Sequence, residues 1–525
     1  MAATYNSIAL WVLVPVLAVY FHYLRYLRVK RDCREPPVIR PTIPLIGHII
    51  GLLRYGTDYY AIINTKQQLP VYTLEIFNTK TYVVNSLDMV AAAQRNTKTL
   101  SFNPFLLFSS KRMSQYDKAG MAVVNNNIEG AHGKWGYIPE MLDGVHHTLA
   151  PGPALDKMNH TVLDKLCPAI NGLRDGETFG LQAWIRGLFT VCSLESIYGP
   201  DWTSSPELTQ AFWDFERDIT TLCADVFPTI LAPKAYKGRQ RLFDAFTEYL
   251  RKGGQERGSD LIKVRYATAV RNGLTLYHVA RGETALLLGI LPNVTASTFW
   301  ILLYIFSRPT LLQELRTEIA HAISTSPSTP TDPTTHRIDI TKLRAQCPLF
   351  VSVYQEVMRL KSTNASVRKV LADTLVADRY LFAKDAIVQM PSASIHNNAA
   401  FFGPDPKAFD PRRFIKPDHA TAKGAKRPPG TFRVFGGGAT LCPGRHFAST
   451  EILGSVAVMA MGFEISPAEG GKWVWPRTMD SRLMTAILGP VGDVKIRVER
   501  RKGWEGVRWG FATSLVATEV EMDTL

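Results

Sequence analysis

The sequence predicts a mainly helical protein with a minor β-sheet region. From about Asp88 to Tyr304 the pattern is mostly helical and is interrupted by proline and glycine pairs. Val71 to Val84 alternates well enough to predict two short strands around a turn at Asn78-Thr79. Val279 to Phe306 is a long apolar segment that fits one buried core helix. These patterns indicate an α-rich fold with a small sheet near the N-terminus.

Composition sets broad limits on function. The chain has 525 residues, of which 46% are hydrophobic, so it can bury a large core. Its six cysteines are scattered and match neither a zinc pattern nor a disulfide framework, which fits a reducing compartment. The net charge is +14 without a nucleic-acid motif. We therefore expect no nucleic acid as partner, but an anionic membrane face or an acidic protein.

The N-terminal segment predicts a membrane anchor. Ile8 to Leu24 is almost wholly apolar and approaches the length that spans a bilayer. A basic cluster follows and marks the cytoplasmic side: Arg25, Arg28, Lys30, Arg31 and Arg34. A cleaved signal peptide would carry its basic residues first. We expect residues 1–30 to be an uncleaved single-pass anchor with its basic flank.

Proline and polar composition divide the remaining chain. Residues 31–50 carry four prolines between Pro36 and Pro44 and predict a stiff hinge. The catalytic domain is expected over residues 51–500, and residues 501–525 form an extension without an interpretable pattern. Ser324 to Asp339 is rich in Ser, Thr and Pro and predicts a surface loop.

The stretch from Phe435 to Gly444 contains a candidate metal ligand, Cys442. Three consecutive glycines permit a tight backbone bend, and Cys442 follows four residues after Gly438. Pro443 suits the first position of a helix, which would place Cys442 at the positive end of a helix dipole. That position favours the thiolate, the form that binds metal. A glycine-rich turn beside a structural cysteine is the alternative.

This decapeptide resembles the haem-binding loop of the cytochrome P450 family. Its fixed positions are occupied by Phe435, Gly438, Cys442 and Gly444. The resemblance implies the cytochrome P450 fold with an N-terminal transmembrane helix, haem b as cofactor and Cys442 as the ligand of its iron. It also implies electron delivery by NADPH–cytochrome P450 reductase. The catalytic domain would face the cytosol from the endoplasmic reticulum membrane.

The segment from Val279 to Phe306 resembles the central helix that crosses the distal haem face in this family. Pro292 stands at the position of its usual acid and Asn293 at that of its usual threonine. This departure resembles the subgroup of sterol 7α-hydroxylases and prostacyclin synthase, in which asparagine takes the threonine position. An amide can donate a hydrogen bond to oxygen or to an ordered water, so Asn293 is the catalytic candidate. Alternatively, Asn293 caps a broken helical turn. A second membrane span is disfavoured by polar residues at the centre: Asn293, Thr295, Ser297 and Thr298.

An ion pair is expected between Glu356 and Arg359, which are three residues apart on one helix face. In the family this pair locks to a downstream loop, which Phe409 to Phe414 resembles. Arg412 or Arg413 would complete the triad, and we take Arg412 as its third member. Such a buried triad would hold the core around the haem.

The haem propionates require cations. The family usually places an arginine two residues before the cysteine, where this chain has Thr440. By its place in the chain, Arg368 is the first candidate to bind a propionate. His147 is the second, and a surface histidine is its alternative reading.

These features predict a haem-thiolate monooxygenase that hydroxylates a small, rigid, hydrophobic substrate. The apolar central helix and the subgroup resemblance point to a sterol, triterpenoid or meroterpenoid from specialised metabolism. One alternative is a haem-thiolate isomerase or dehydratase that needs neither O2 nor a reductase. The other is a haem- or lipid-binding membrane protein without turnover.

Overall fold

A computed structural model describes residues 14–15, 17–21, 32–43, 46–76, 79–131, 133, 135–326, 334–415, 427–479 and 485–512. The chain forms two compact units. The first contains Met1–Ser101 and Ala365–Ser394, and the second contains Phe102–Asn364 and Ile395–Leu525. The expected turn residue Asn78 and most of the N-terminal basic cluster lie outside the described residues.

The first unit is built on a five-stranded sheet. Its helices and strands are α1 (Gly47–Tyr55), α2 (Asp58–Gln67), β1 (Val71–Ile76), β2 (Thr79–Val84), α3 (Leu87–Arg95), β3 (Leu100–Ser101), β7 (Ala365–Val370), β8 (Thr374–Val376), β9 (Tyr380–Phe382) and β10 (Ile387–Pro391). The strand order is β1-β2-β10-β7-β3. The antiparallel pair β1–β2, in which Val71 faces Val84, confirms the predicted hairpin. Both strands are largely buried, so their sequence alternates less regularly than that of a one-sided sheet.

The second unit is mostly helical. Its first helices are α4 (Asn103–Arg112), α5 (Lys118–Asn125), α6 (Tyr137–Leu149), α7 (Pro153–Asn171), α8 (Leu181–Tyr198), α9 (Pro206–Arg217), α10 (Ile219–Ala224), α11 (Pro228–Leu231), α12 (Pro233–Arg251) and α13 (Asp260–Arg271). They are followed by α14 (Leu276–Phe306), α15 (Pro309–Ala320), α16 (Ile340–Gln346), α17 (Pro348–Lys361), α19 (Ala399–Phe402) and α20 (Arg445–Gly462). A short helix, α18 (Ser392–His396), spans the boundary between the units.

Helix α14 forms the centre of the second unit and confirms the predicted core helix. It is the one helix among the described residues that is long and apolar enough to cross a membrane. Most of it is buried, which suits a helix that is apolar around its whole circumference. Its C-terminal half packs against α17 and α20, and Trp300 donates a hydrogen bond to the carbonyl oxygen of Leu488 over 2.6 Å.

Two three-stranded sheets complete the second unit. Their strands are β4 (Glu177–Gly180), β5 (Ile323–Ser326), β6 (Thr335–Asp339), β11 (Phe463–Pro467), β12 (Lys495–Arg500) and β13 (Arg508–Ala512). The expectation of a surface loop over Ser324–Asp339 is wrong at both ends, because β5 and β6 pair there. Polar strands of this kind are stabilised by a long-range partner, which for β6 is the parallel strand β13.

Candidate functional site

The loop before Cys442 has the backbone bend that its glycines predict. Gly436 and Gly438 have φ angles of 82° and 61°, in the left-handed region that favours glycine. The backbone N–H of Cys442 donates to the carbonyl oxygen of Phe435 over 2.9 Å. This hydrogen bond closes the loop and fixes the backbone position of Cys442.

The start of the following helix differs from the expectation. Pro443 and Gly444 form a turn, and α20 begins at Arg445 with Gly444 as its N-cap. Pro443 is therefore not the first helical residue, because the chain must bend once more before it enters α20. Burial raises the pKa of the Cys442 thiol, while hydrogen bonds from the backbone N–H groups of Gly444 and Arg445 act in the opposite direction. The sulfur thus receives donors that stabilise its thiolate form.

The donor set at this loop fits a haem. It presents one sulfur with two backbone N–H donors, so Cys442 would hold the haem iron through a thiolate that these hydrogen bonds stabilise. Among the described residues, no group of three or more His, Cys, Asp or Glu side chains could hold a metal ion by itself.

The segment entering the loop is bound by two side chains that the sequence analysis missed. Asn364 donates through Nδ2 to the carbonyl oxygens of Arg433 (3.2 Å) and Val434 (2.9 Å). His396 accepts a hydrogen bond at Nε2 from the backbone N–H of Arg433 over 2.9 Å. Burial, followed by the charges of Arg359 and Arg433, lowers the pKa of His396 to about 3, so this histidine is neutral. Neither residue has a sequence pattern that would have revealed its role.

The predicted pair of Glu356 and Arg359 is present and fully buried. Arg359 donates through Nε and Nη2 to the two carboxylate oxygens of Glu356, each over 2.8 Å. The third member is Arg413, whose Nε lies 2.9 Å from Glu356 Oε1. Arg412 instead forms an exposed ion pair with Glu314. The expectation for Arg412 is corrected because successive residues of this turn point in different directions.

This ion network is connected to the cysteine loop. Arg359 also donates through Nη1 to the carbonyl oxygen of His396 over 2.8 Å. Since His396 binds the backbone of Arg433, a chain of hydrogen bonds runs from Glu356 to the segment that enters the loop. The ion network and the loop that carries Cys442 are therefore joined by hydrogen bonds.

Asn293 binds a neighbouring turn through its side-chain oxygen. Oδ1 accepts hydrogen bonds from the backbone N–H groups of Ala486 (3.0 Å) and Ile487 (3.1 Å). Pro292 precedes it inside α14, where it removes one backbone donor. The amide orientation is set by these two donors, so Nδ2 is the group directed elsewhere.

One face of α14 is accessible although most of the helix is buried. Ala285, Leu286, Gly289 and Asn293 are only partly buried or exposed. Their spacing of three and four residues places them on one side of the helix. A Cβ atom built on Gly289 would meet nothing within 4 Å. Open space therefore lies beside Gly289 on this face of the helix.

The two propionate candidates differ in their environments. Arg368 lies in β7 of the first unit, where burial lowers its pKa to about 10. Its Nη1 donates to the carbonyl oxygen of Val367 over 2.7 Å. The His147 side chain is 80% exposed and lies 3.7 Å from Asp143 on the same helix. This placement fits the alternative interpretation of His147 as a surface histidine.

Comparisons with known proteins agree with this site. The family model described as Cytochrome P450 matches residues 223–486. A cytochrome P450 monooxygenase, nodJ of Hypoxylon pulicicidum, is 32% identical over 95% of this chain and 97% of its own length. Cholesterol 7-alpha-monooxygenase of Cricetulus griseus is 23% identical over 90% and 94%. The structure titled retinoic acid bound cyanobacterial CYP120A1 superposes with a TM-score of 0.65 at 17% identity, covering 89% and 99%.

Proposed function

Because this chain belongs to the cytochrome P450 family and is a haem-containing, oxygen-incorporating oxidoreductase, we propose that it hydroxylates a rigid hydrophobic molecule such as a sterol, triterpenoid or meroterpenoid. The reaction would belong to specialised metabolism, with electrons from NADPH–cytochrome P450 reductase. The similarity to cholesterol 7-alpha-monooxygenase, whose name specifies a sterol, supports this class of substrate. The observation that carries the proposal is the Cys442 thiol with its backbone donors in the glycine loop.

Each residue of the site has a proposed task. Cys442 would bind the haem iron through its sulfur, and the N–H groups of Gly444 and Arg445 would stabilise the thiolate. Arg368 would pair with a propionate. When bound, haem supplies the oxygen-activating chemistry, and the protein supplies ligation, orientation and exclusion of water.

Asn293 is proposed as a hydrogen-bond donor on the distal side. Its oxygen is already occupied by the N–H groups of Ala486 and Ile487. Only the amino group remains for a ligand or an ordered water, so the side chain can donate but has little capacity left to accept. This arrangement lets one amide both fix the turn after residue 485 and orient a proton donor.

We also propose that the N-terminus anchors the protein in the endoplasmic reticulum membrane. Residues 14–15 and 17–21 are helical. The large apolar side chains there, such as Leu17 (53%) and Phe21 (71%), are more than half exposed, unlike those of α14. The net charge of +14 suits an acidic reductase as partner.

Removal of residues 1–30 tests the anchor. We expect the truncated protein to move from the membrane fraction to the soluble fraction while it keeps its haem. Fractionation and the absorbance of the haem measure both. A truncated protein that cannot fold would contradict the view that this segment only anchors. Ile230 (72% exposed) and Leu231 (59% exposed) form a second apolar patch, on α11. The control is a chain that keeps residues 1–30 and carries serine at both of these positions.

The function itself is tested with the full chain, the reductase and a panel of terpenoids and steroids. We expect a hydroxylated product that requires NADPH and carries one atom of isotope-labelled O2. A product that forms without O2 and NADPH would identify an isomerase or dehydratase. Binding spectra without any product would indicate a binding protein.

A further inference from the structure

A buried arginine on α12 lacks a carboxylate partner. Arg239 is 1% exposed, and its Nη1 donates to the carbonyl oxygen of Arg112, at the end of α4, over 3.0 Å. Its Nε has no hydrogen-bond partner among the described residues. The guanidinium carbon lies 5.6 Å from the ring centre of Tyr236 and 6.0 Å from that of Phe243. Aromatic faces attract a cation but do not neutralise it.

The acidic groups nearby do not supply the missing charge. In the part of the chain that the structure describes, no Asp or Glu forms an ion pair with Arg239. Asp225 attracts it from a distance, but the Asp225 carboxylate is half-exposed and paired with Arg112. Burial raises the pKa of the neighbouring Cys223 to about 11, so this thiol is neutral at physiological pH. Since arginine keeps its proton in proteins, a buried positive charge remains.

A second arginine shares the same aromatic ring. The guanidinium of Arg281, on α14, lies 4.2 Å from the ring centre of Phe243 and 4.0 Å from that of Tyr277. No ion pair to Arg281 occurs within the described residues either. The charges of Arg281 and Arg239 oppose each other. Two cations held against one ring, one of them fully buried, form a ready binding site for an anion.

We infer that Arg239, assisted by Arg281, binds a carboxylate of the substrate. The inference rests on the proposed function and deepens it, because it restricts the substrate to hydrophobic molecules that carry an acidic group. A planar carboxylate would satisfy the guanidinium donors that the protein leaves open. The apolar and aromatic neighbours would contact the hydrophobic body beside it.

The position of this subsite sets a length for the substrate. Arg281 precedes Asn293 by 12 residues in α14, which corresponds to roughly 18 Å along the helix axis. Leu286 and Gly289, which belong to the accessible face, lie between these two points along the helix. An acid held by Arg239 and Arg281 would therefore be oxidised at the end of the molecule far from its carboxylate.

Matched acid and alcohol ligands test the inference. Betulinic acid and betulin differ only in a carboxylate and a hydroxymethyl group, and retinoic acid and retinol differ in the same way. We expect the wild type to bind at least one acid about 10- to 100-fold more tightly than its alcohol. Arg239→Gln should remove this preference by weakening the acid alone. Titration of the haem absorbance and the ligand-induced change in Tm both report binding without turnover.

Three control variants isolate the cause. Arg241→Gln makes the same charge change at an exposed position of α12 and should keep the preference. Arg239→Lys, which keeps the charge but loses the planar donors, should keep part of it. Arg281→Gln should reduce it less than Arg239→Gln. The reduced CO spectrum confirms that each variant is folded around its haem.

Several results would overturn the inference. These are equal binding of acid and alcohol by the wild type in every pair, or an acid preference that survives Arg239→Gln in a folded protein. Stabilisation by sodium sulfate equal to that by the acids would indicate a general anion site instead. The binding measurements, by haem absorbance and Tm, do not depend on turnover. NADPH-dependent hydroxylation of a neutral substrate without acid preference would leave the proposed function intact, and acid preference without hydroxylation would contradict only that function.

Discussion

Two fully buried glutamates in the second unit are neutralised in different ways. Glu356, on α17, faces the guanidinium groups of Arg359 and Arg413. Glu451, on α20, accepts a hydrogen bond from the Ser193 hydroxyl over 2.7 Å and forms no ion pair with any residue that the structure describes. Burial raises the pKa of Glu451 to about 8, so this carboxyl is mostly protonated at neutral pH. The protein thus neutralises a buried acid either by cations or by a proton.

Two other buried groups, Arg239 and the Cys442 thiolate, are neutralised neither by an opposite charge of the described chain nor by a change of protonation. Arg239 cannot lose its proton at neutral pH and has no carboxylate beside it among the described residues. The thiolate of Cys442 would be neutralised by iron. Both of the proposed ligand sites therefore lie at a buried charge.

Substitution of Cys442, whose thiolate charge would be balanced by the haem iron, is expected to have the largest effect on activity. Cys442→Ser should abolish the red-shifted Soret band of the reduced CO complex and all hydroxylation, because the hydroxyl does not supply a thiolate. The exposed Cys33→Ser is the matched control and should behave as wild type. A retained band in Cys442→Ser would contradict the assignment of the ligand.

The Asn293 side chain carries two groups with different proposed roles. Its Nδ2 would donate to a ligand, and its Oδ1 holds the backbone of Ala486 and Ile487. Asn293→Ala removes both the donor and the acceptor, and it should slow coupled hydroxylation by about 10²–10⁴-fold. Asn293→Asp keeps an acceptor for Ala486 and Ile487 but lacks the amide donor. It should divert electrons to peroxide while its Tm stays close to wild type.

Product formed per NADPH, together with peroxide, measures this effect. Asn293→Thr, with a hydroxyl donor, should retain some turnover. Normal coupling in both Asn293→Ala and Asn293→Asp would show that the amide only holds the turn.

Removal of the acid between two cations should destabilise the second unit. Glu356→Gln leaves Arg359 and Arg413 without their counter-charge and should lower the free energy of unfolding by about 3–5 kcal/mol. Haem content and Tm measure the loss. Arg412→Gln breaks only an exposed ion pair and should cost less than about 1 kcal/mol. Equal losses in the two variants would contradict the assignment of Arg413 to the triad.

The acid neutralised by a proton should show itself in the pH dependence of stability. Native Glu451 keeps a proton up to pH 8, whereas the unfolded chain releases it near pH 4.5. Stability from this group is therefore lost as pH rises, by about 1.4 kcal/mol per pH unit in that window. From pH 6 to pH 8, wild type should lose about 2 kcal/mol relative to Glu451→Gln, because the slope falls as pH approaches the native pKa. Parallel unfolding profiles of the two proteins would contradict this.

The sequence predicted the features whose signals are local. The glycine loop, the β1–β2 hairpin and α14 each follow from consecutive residues, and the structure shows them where expected. The third member of the triad could not be predicted, because Arg412 and Arg413 are adjacent and only the direction of their turn separates them. Arg239 and Glu451 gave no signal, since a charged residue on a helix is normally exposed and its burial depends on packing.

The same limit applies to pairing over long distances. The polar composition of Ser324–Asp339 predicted a loop because its partner strand is far away in sequence. His147 was assigned to a propionate from its order in the chain alone, and order does not determine which side of a helix faces solvent.

The pairing of β13 with β6 has a consequence for biosynthesis. Arg508 lies beside Thr335, and 173 residues separate them in the chain. During translation, one edge of β6 stays without its partner strand until nearly the whole polypeptide has left the ribosome. Trp509, which is 1% exposed, reaches its buried position only then. A premature stop codon before residue 508 would therefore yield a chain whose hairpin edge invites aggregation, although every residue of the cysteine loop has already been made.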